Sequence, residues 1–187
     1  MEQFIQQFLT GKLILLKQMA ASDLERFAQI ENEARTLLLA NDDIPFPGTL
    51  EDHRTFFEGI SGKKEEFIFG IVDRTSGELI GSCGVYGVNW KNSTCQVGIA
   101  IGQDWQGKGY GTDAMETLIS FIFNYIHINK IKLQVFSFNQ SAIRSYEKCG
   151  FIKEGVLRNE LFRFGTFHDV HLFGLLRDDW IAAREEV

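Results

Sequence analysis

Apolar and polar positions along this chain alternate between two kinds of run. Short runs, either wholly apolar or of period two, read as strands: Lys12 to Lys17, Phe67 to Val72, Leu79 to Val88, Thr94 to Ile101, Ile131 to Phe138, Phe151 to Leu157 and Phe167 to Leu176. Longer runs with apolar residues three and four apart read as helices. The clearest carries Ala114, Met115, Leu118, Ile119, Ile122, Phe123 and Ile126 as one broad stripe, with Asn129 able to end it. An earlier helix follows Ser22-Asp23-Leu24-Glu25, which has the Ser-x-x-Glu form of a capping box, and turns Leu24, Phe27, Ala28, Ile30, Ala34 and Leu37 or Leu38 inward. Another starts at Thr49, with Asp52 three residues on, and runs to about Ile60; a short one spans Ser141 to Lys148, with Gly150 just past its end. Residues 1 to 11 read as a short arm or helix, 41 to 48 as a loop holding both prolines, and Ser61 to Glu66 as a polar connection.

The turns at Asp73 to Glu78 and Asn89 to Ser93 are too short for crossovers, so the strands from Phe67 to Ile101 form an antiparallel meander. The strand ending at Ile101, the long helix and the strand from Ile131 make a βαβ unit, whose two strands run parallel. The expected fold is a mixed α/β domain: one mostly antiparallel sheet with a parallel pair, flanked by about four helices. The chain shows no repeat, low-complexity tract or linker, so residues 1 to 187 read as one domain.

The formal net charge of −6 argues against nucleic acid as a partner and suits a cationic acceptor, although solubility alone also accounts for it. Three scattered cysteines, Cys83, Cys95 and Cys149, form no C-x-x-C pair and indicate neither a zinc site nor a disulfide framework, which points to a reducing, cytoplasmic setting. No signal segment or membrane-length apolar run is evident.

The candidate chemistry centres on Gln106-Gly107-Lys108-Gly109-Tyr110-Gly111-Thr112, a glycine-rich turn between an apolar strand and the long helix. Strand, glycine turn and helix make a phosphate cradle: glycine lets the backbone approach an anion, and the helix offers free N–H groups and its positive dipole end. Gly102 to Lys108 begins a P-loop pattern, but Gly109 stands where Ser or Thr must hold Mg²⁺. The dinucleotide pattern fails at Thr112, where its third glycine would fall. The spacing Gln-x-x-Gly-x-Gly resembles instead the pyrophosphate-binding motif of the GNAT acyltransferases. A second stretch, Asn139 to Phe151, is similar to that family's Asn-x-x-[Ser/Ala]-x-x-x-Tyr-x-[Lys/Arg]-x-Gly-Phe segment and lies about thirty residues downstream, as in the family. The tail, from Gly155-Val156-Leu157-Arg158 through Phe164-Gly165-Thr166-Phe167-His168-Asp169-Val170 to Asp179-Trp180, resembles the branch holding ribosomal-protein N-terminal and spermidine acetyltransferases.

The resemblance implies a GNAT fold with the parallel pair splayed, acetyl-coenzyme A as cosubstrate, and an amine acceptor: a protein N-terminus by preference, or a polyamine or small amine. The pyrophosphate would sit on the backbone of Gln106, Gly107, Lys108, Gly109, Tyr110 and Gly111, with Thr112 opening the helix. The main chain at Ile99, Ala100 and Ile101 would pair with the pantetheine arm and supply an oxyanion donor. Asn139 and Ser141 would contact that arm, and Tyr146 would act as general acid toward the departing thiolate. Tyr146 also reads as a ring packed under its helix. Relatives often place a glutamate base on the strand before the glycine turn; Gln96 stands there and cannot accept a proton. Asp169 and His171 on the last strand, or Glu160 before it, are the alternatives, each also readable as structural. An α-amine of pKa about 8, part of it already unprotonated at neutral pH, is the acceptor for which a base can be dispensed with. Cys149 reads as packing, so the expected mechanism is direct attack in a ternary complex. His168 and His171, three apart on a strand, point to opposite faces, and no metal site is expected. Asn41, Asp42, Asp43 and Phe46 are candidates to line the acceptor side. A non-catalytic acyl-coenzyme A sensor is the reading from another class, a Mg-ATP-binding nucleotidase a third, and the sequence leaves monomer and homodimer both open.

Overall fold

The structure, a computed structural model, describes residues 8–40, 42–60, 63 and 65–185. Most of the arm over residues 1 to 11, Asn41 of the acidic loop and much of the 61–66 connection lie outside the described residues. Among those described, seven strands form one sheet: β1 (Ile14–Gln18), β2 (Phe67–Asp73), β3 (Leu79–Asn89), β4 (Thr94–Ile101), β5 (Lys130–Phe136), β6 (Ile152–Arg163) and β7 (Thr166–Leu176), in the order β1-β2-β3-β4-β5-β7-β6. Six α-helices flank it: α1 (Leu24–Glu31), α2 (Ala34–Leu39), α3 (Leu50–Ile60), α4 (Tyr110–Tyr125), α5 (Gln140–Lys148) and α6 (Arg177–Glu185). The β1–β4 meander is antiparallel, β4 and β5 are parallel, and β5, β7 and β6 pair antiparallel again.

The expected stripe of α4 is the centre of the main core. Ala114, Met115, Leu118, Ile119, Ile122 and Phe123 pack on Ile14, Leu16, Ile71, Ile80, Val85 and Val97 from the meander and on Ile131, Leu133 and Phe173 from the other half of the sheet. The meander's opposite face is covered from α1 and α3, where Phe27 packs on Val72 and Leu79 with Phe57 beside them. Thr49 and Asp52 make the expected reciprocal cap: the Asp52 carboxylate accepts the Thr49 N–H at 2.7 Å, and the Asp52 N–H donates to the Thr49 hydroxyl at 3.2 Å. Gly150 takes φ +93° after α5, as its place past a helix end requires.

Three expectations change. Ser22 does not cap the first helix: Ala21–Asp23 forms a 3₁₀ turn, and it is Asp23 that reaches back, accepting the Ala20 N–H at 2.9 Å and pairing with Lys17 at 2.8 Å. The helix expected from Leu24 to Leu38 breaks at 32–33, where the Asn32 side chain bonds both backbone groups of Gly48 at 2.8 and 2.9 Å. The strand expected to end at Leu157 continues to Arg163 as a long hairpin with β7, its register shifting around Asn159, which takes φ +54°.

Candidate active site

The site begins where two parallel strands part. β4 and β5 pair only over Thr94↔Lys130, Cys95↔Ile131 and Gln96↔Lys132. Beyond Gln96, β4 keeps its partner β3 as far as Gly81↔Ile101, while β5 turns to β7. The β5-facing edge of Val97 to Ile101 is thereby left without a strand, and a cleft of about 920 Å³ opens between Val97–Ile101 and Gln134–Phe136. Backbone groups on such an edge need partners, and an extended ligand arm can supply them.

The glycine turn closes one end of the cleft. Gly107 and Gly109 adopt φ +73° and +91°, the left-handed region that favours glycine, and Gly109 is the N-cap of α4. No side chain caps α4, so the N–H groups of its first turn stay available for a ligand. Gly107, Gly109, Gly111 and Thr112 line the cleft. The Gln106 side chain anchors the turn: its amide donates to the Ile101 carbonyl at 2.7 Å. Asp113, one residue further on, binds the chain start to α4 by accepting the backbone N–H groups of Lys12, Leu13 and Ile14 at 2.9, 2.7 and 3.1 Å.

α5 forms the opposite wall. Asn139 caps it, its carboxamide oxygen accepting the Ala142 N–H at 3.3 Å and the Ser141 hydroxyl at 3.1 Å; Asn139 and Ser141 both line the cleft. Tyr146 lines it as well and is 8% exposed, its ring edge-on to Phe151. Burial, with the neighbouring Cys149, pushes its phenol up to about 12, so it carries its proton throughout the neutral range. Thr112 and Ser145 share a hydroxyl hydrogen bond of 2.8 Å that locks α4 to α5. The basic side chains of Arg144 and Lys148 add positive charge to this wall.

The face of the sheet turned toward α1 and α2 supplies the floor. Strand alternation places Ser82, Gly84 and Tyr86 beside Ala100, Gly98 and Gln96 on one surface, while Val85, Val97, Ile99 and Ile101 face the α4 core. The Tyr86 ring folds back along β3: a methyl group built on Gly84 would meet its Cζ and Oη at 2.7 Å, and one on Gly98 its Cε2 at 3.3 Å. These two glycines make room for the ring. Glu31, the last residue of α1, accepts the Ser82 hydroxyl at 3.3 Å. Burial raises its carboxyl to about 7, against the smaller downward pull of that hydrogen bond. Its charge is among those that raise Tyr86 in turn. Arg35, Thr36, Leu39, Ala40 and Asp42 complete this side of the cleft, and the buried Thr36 hydroxyl has no hydrogen-bond partner.

The other expected site residues lie elsewhere. Lys108 is exposed and does not line the cleft; Tyr110 points its hydroxyl to Asp73, 3.4 Å away. Asp169 accepts the Asn159 N–H at 3.0 Å and serves the bulge in β6. His171 sits opposite Val135 and Val156, its pKa lowered by burial and by Lys153 with Asp169 in partial opposition, and neither it nor Glu160 joins the cleft lining. Cys149 is buried, its thiol raised to about 12 by burial and by Glu116, so it holds no thiolate for an acyl-enzyme. Reading the sequence missed Tyr86, Glu31, Thr36, Arg144 and Lys148. The spacing of four between Arg144 and Lys148, which sets both on one face of α5, was a usable signal for them; nothing local marked Glu31.

Parted parallel strands, a glycine turn at a helix start and a tyrosine across the gap define an acyl-coenzyme A transferase site. The family model for the acetyltransferase (GNAT) domain matches residues 14–152, and the chain belongs to this family. It is 29% identical over 171 residues to the SPbeta prophage-derived N-acetyltransferase YokL of Bacillus subtilis, covering 91% of this chain and 94% of that one. It is 31% identical over 119 residues to the [ribosomal protein uS5]-alanine N-acetyltransferase of Escherichia coli (63% of this chain, 61% of the relative), and 29% identical over 115 residues to the spermidine N(1)-acetyltransferase of Vibrio cholerae (62% and 66%). The fold matches the crystal structure of spermidine N-acetyltransferase from Vibrio cholerae in complex with CoA and spermine at a TM-score of 0.83 and 23% identity, over 91% of this chain and 99% of that one. The protein is an acetyl-coenzyme A-dependent N-acetyltransferase acting on amines. No helix among the described residues is long and apolar enough to cross a membrane.

Proposed function

We propose that this enzyme transfers acetyl from acetyl-coenzyme A to a protein N-terminal amine by direct attack in a ternary complex. The observation that carries this reading is the unpaired β4 edge between the glycine turn and Tyr146. The α4 amides from Gly109 onward hold the pyrophosphate, with Arg144 and Lys148 offering charge to the coenzyme's phosphates. The main chain of Ile99 to Ile101 pairs with the pantetheine arm, and a backbone N–H there faces the thioester oxygen as negative charge develops. Asn139 and Ser141 border the same arm. Tyr146 donates a hydrogen bond to the sulfur as coenzyme A leaves. Three cysteines buried in the fold and without a depressed pKa support direct attack over an acyl-enzyme.

The N-terminal acceptor rests on the relative named for ribosomal protein uS5 alanine and on the ease of deprotonating an α-amine of pKa about 8. A polyamine acceptor is the second reading, favoured by the spermidine relative, the net charge of −6 and the cleft position of Asp42. The test is release of coenzyme A thiol in the presence of alanine-initiated peptides, spermidine, spermine, amino sugars and aminoglycosides. Acceleration by peptides alone supports the first reading and by polyamines alone the second. Acetyl-coenzyme A binding without acceleration by peptides or polyamines overturns both acceptor readings.

A further inference from the structure

An alkylammonium must shed a proton before its nitrogen can attack, and Gln96, at the parting of the strands, is a carboxamide with no basic site. Behind that floor, one hydrogen bond outside the residues that line the cleft, stands a carboxylate. Glu31 comes from α1, outside the motifs that define the cleft, and rests on Ser82. Ser82 is the cross-strand neighbour of the cleft residue Ala100, and the same face continues through Gly84 opposite Gly98 to Tyr86 opposite Gln96. The Tyr86 ring lies over Gly84, which separates it from Ser82, so phenol and carboxylate share one patch. Thr36, on α2, brings to the cleft a buried hydroxyl with no partner. A buried hydroxyl left unpartnered at the cleft is one that a polar ligand could satisfy.

We propose that Glu31 is the proton acceptor of the reaction, drawing the first proton of the acceptor ammonium through cleft water beside Tyr86, while Tyr86, Gln96 and Thr36 form the surface on which that ammonium rests. This rests on the acetyl-transfer reading above. The ammonium gives one proton to the Glu31 carboxylate and becomes an amine. Its lone pair forms the C–N bond to the thioester carbon, and the C=O π pair moves to oxygen. Collapse restores C=O and breaks C–S, the bonding pair leaving on sulfur. The nitrogen's second proton is matched by protonation of that thiolate, and Glu31 releases the first proton to solvent. The net change is ammonium plus acetyl thioester giving amide, thiol and one proton.

The charges around Glu31 leave it free for this work. Arg26 on α1 is held by Glu78 at 3.2 Å and by the Leu79 carbonyl. Glu33 accepts the Gln103 N–H at 2.6 Å. On α3, His53 meets Phe27 edge-on and feels Asp52. Tyr86 on β3 responds to Glu31 and to Glu66, and Arg35 on α2 lines the cleft. Burial sets the Glu31 carboxyl to about 7, a value suited to exchanging protons at neutral pH.

The experiment is the pH profile of kcat for wild type, Glu31→Gln and Glu31→Asp, at saturating acetyl-coenzyme A and with the panel acceptor of highest turnover. Wild type shows an acid limb near neutrality. Glu31→Gln falls by about 100-fold at pH 7 and recovers to within about threefold at pH 9.5, where the amine sheds its proton without help; Glu31→Asp keeps the acid limb. Acetyl-coenzyme A affinity stays the same in all three. A deficit equal at every pH, or none at pH 7, overturns the inference while leaving acetyl transfer standing. A wild type that turns over no acceptor of the panel overturns the proposed acceptor reading and this inference with it.

Discussion

Replacing Tyr146 with Phe removes one oxygen from the cleft and little else. The ring remains to pack edge-on against Phe151 at 6.0 Å, so the fold survives. The size of the loss follows from the phenol's acidity. At about 12 it stands roughly 3.5 units above a thiol of pKa about 8.5, so complete transfer of its proton to the thiolate is uphill by about 5 kcal/mol. The phenol therefore acts as a hydrogen-bond donor to the sulfur's developing charge, not as an acid that ends ionised. A hydrogen bond to a charged partner contributes about 1.5–3 kcal/mol. At about 1.36 kcal/mol per decade, kcat falls roughly 10- to 150-fold. The bond strengthens as charge grows on sulfur, so the loss appears in kcat, with KM for acetyl-coenzyme A nearly unchanged. Steady-state thiol release measures both constants. A kcat within threefold of wild type, or a loss carried wholly by KM, refutes the assignment.

Asp113→Ala strands the Lys12, Leu13 and Ile14 N–H groups and unpins β1 from α4, costing about 3–5 kcal/mol in urea unfolding; a cost below 1 kcal/mol would mean that water replaces the carboxylate. Gly109→Trp forces a side chain onto a φ of +91° at the turn that faces the phosphates, and calorimetry should show coenzyme A affinity lowered at least 30-fold with the circular dichroism spectrum retained. Cys149→Ser keeps kcat within about threefold, because the thiol is buried and protonated; abolished turnover would instead indicate an acyl-enzyme. Glu31 has a folded pKa of about 7, above its ordinary 4.5, so the fold favours the protonated form: stability is full below about pH 4.5 and declines as pH rises through 7. Glu31→Gln, which mimics that form, should therefore raise unfolding stability by about 3 kcal/mol at pH 8 and by nearly nothing at pH 3.5. An equal gain at both pH values removes the titration from the explanation.

Much of this fold is written in local pattern. The α4 stripe, the meander and the parallel pair follow from apolar spacing and from connections too short or long enough to cross over, and Gly107 and Gly109 announce a turn that needs positive φ. What escaped has a common cause. Helix α1 ends at Glu31 because Asn32 is spent on Gly48, sixteen residues away, a contact that no window along the chain displays. Ser22 caps nothing because a 3₁₀ turn precedes the helix, and the Asp23 carboxylate is engaged by the Ala20 N–H and by Lys17. Glu31 and Tyr86 come together only after the sheet and α1 are assembled, so their chemistry is tertiary in origin. Asp169 fits a base by strand alternation alone, yet a register shift in the neighbouring strand engages it with Asn159.

The parted strands also set where the molecule is mechanically weak. The sheet is two panels, β1 to β4 and β5-β7-β6, joined along three residue pairs and by the α4 connection. Cosubstrate lying along the free edge of β4 would stitch the panels beyond Gln96. Bound protein should then exchange the amide hydrogens of Val97 to Ile101 more slowly, and melt at a temperature that climbs with ligand concentration. Product departure correspondingly reopens the seam, so the same missing hydrogen bonds that admit the cosubstrate leave the empty enzyme with the shortest strand pairing of its sheet.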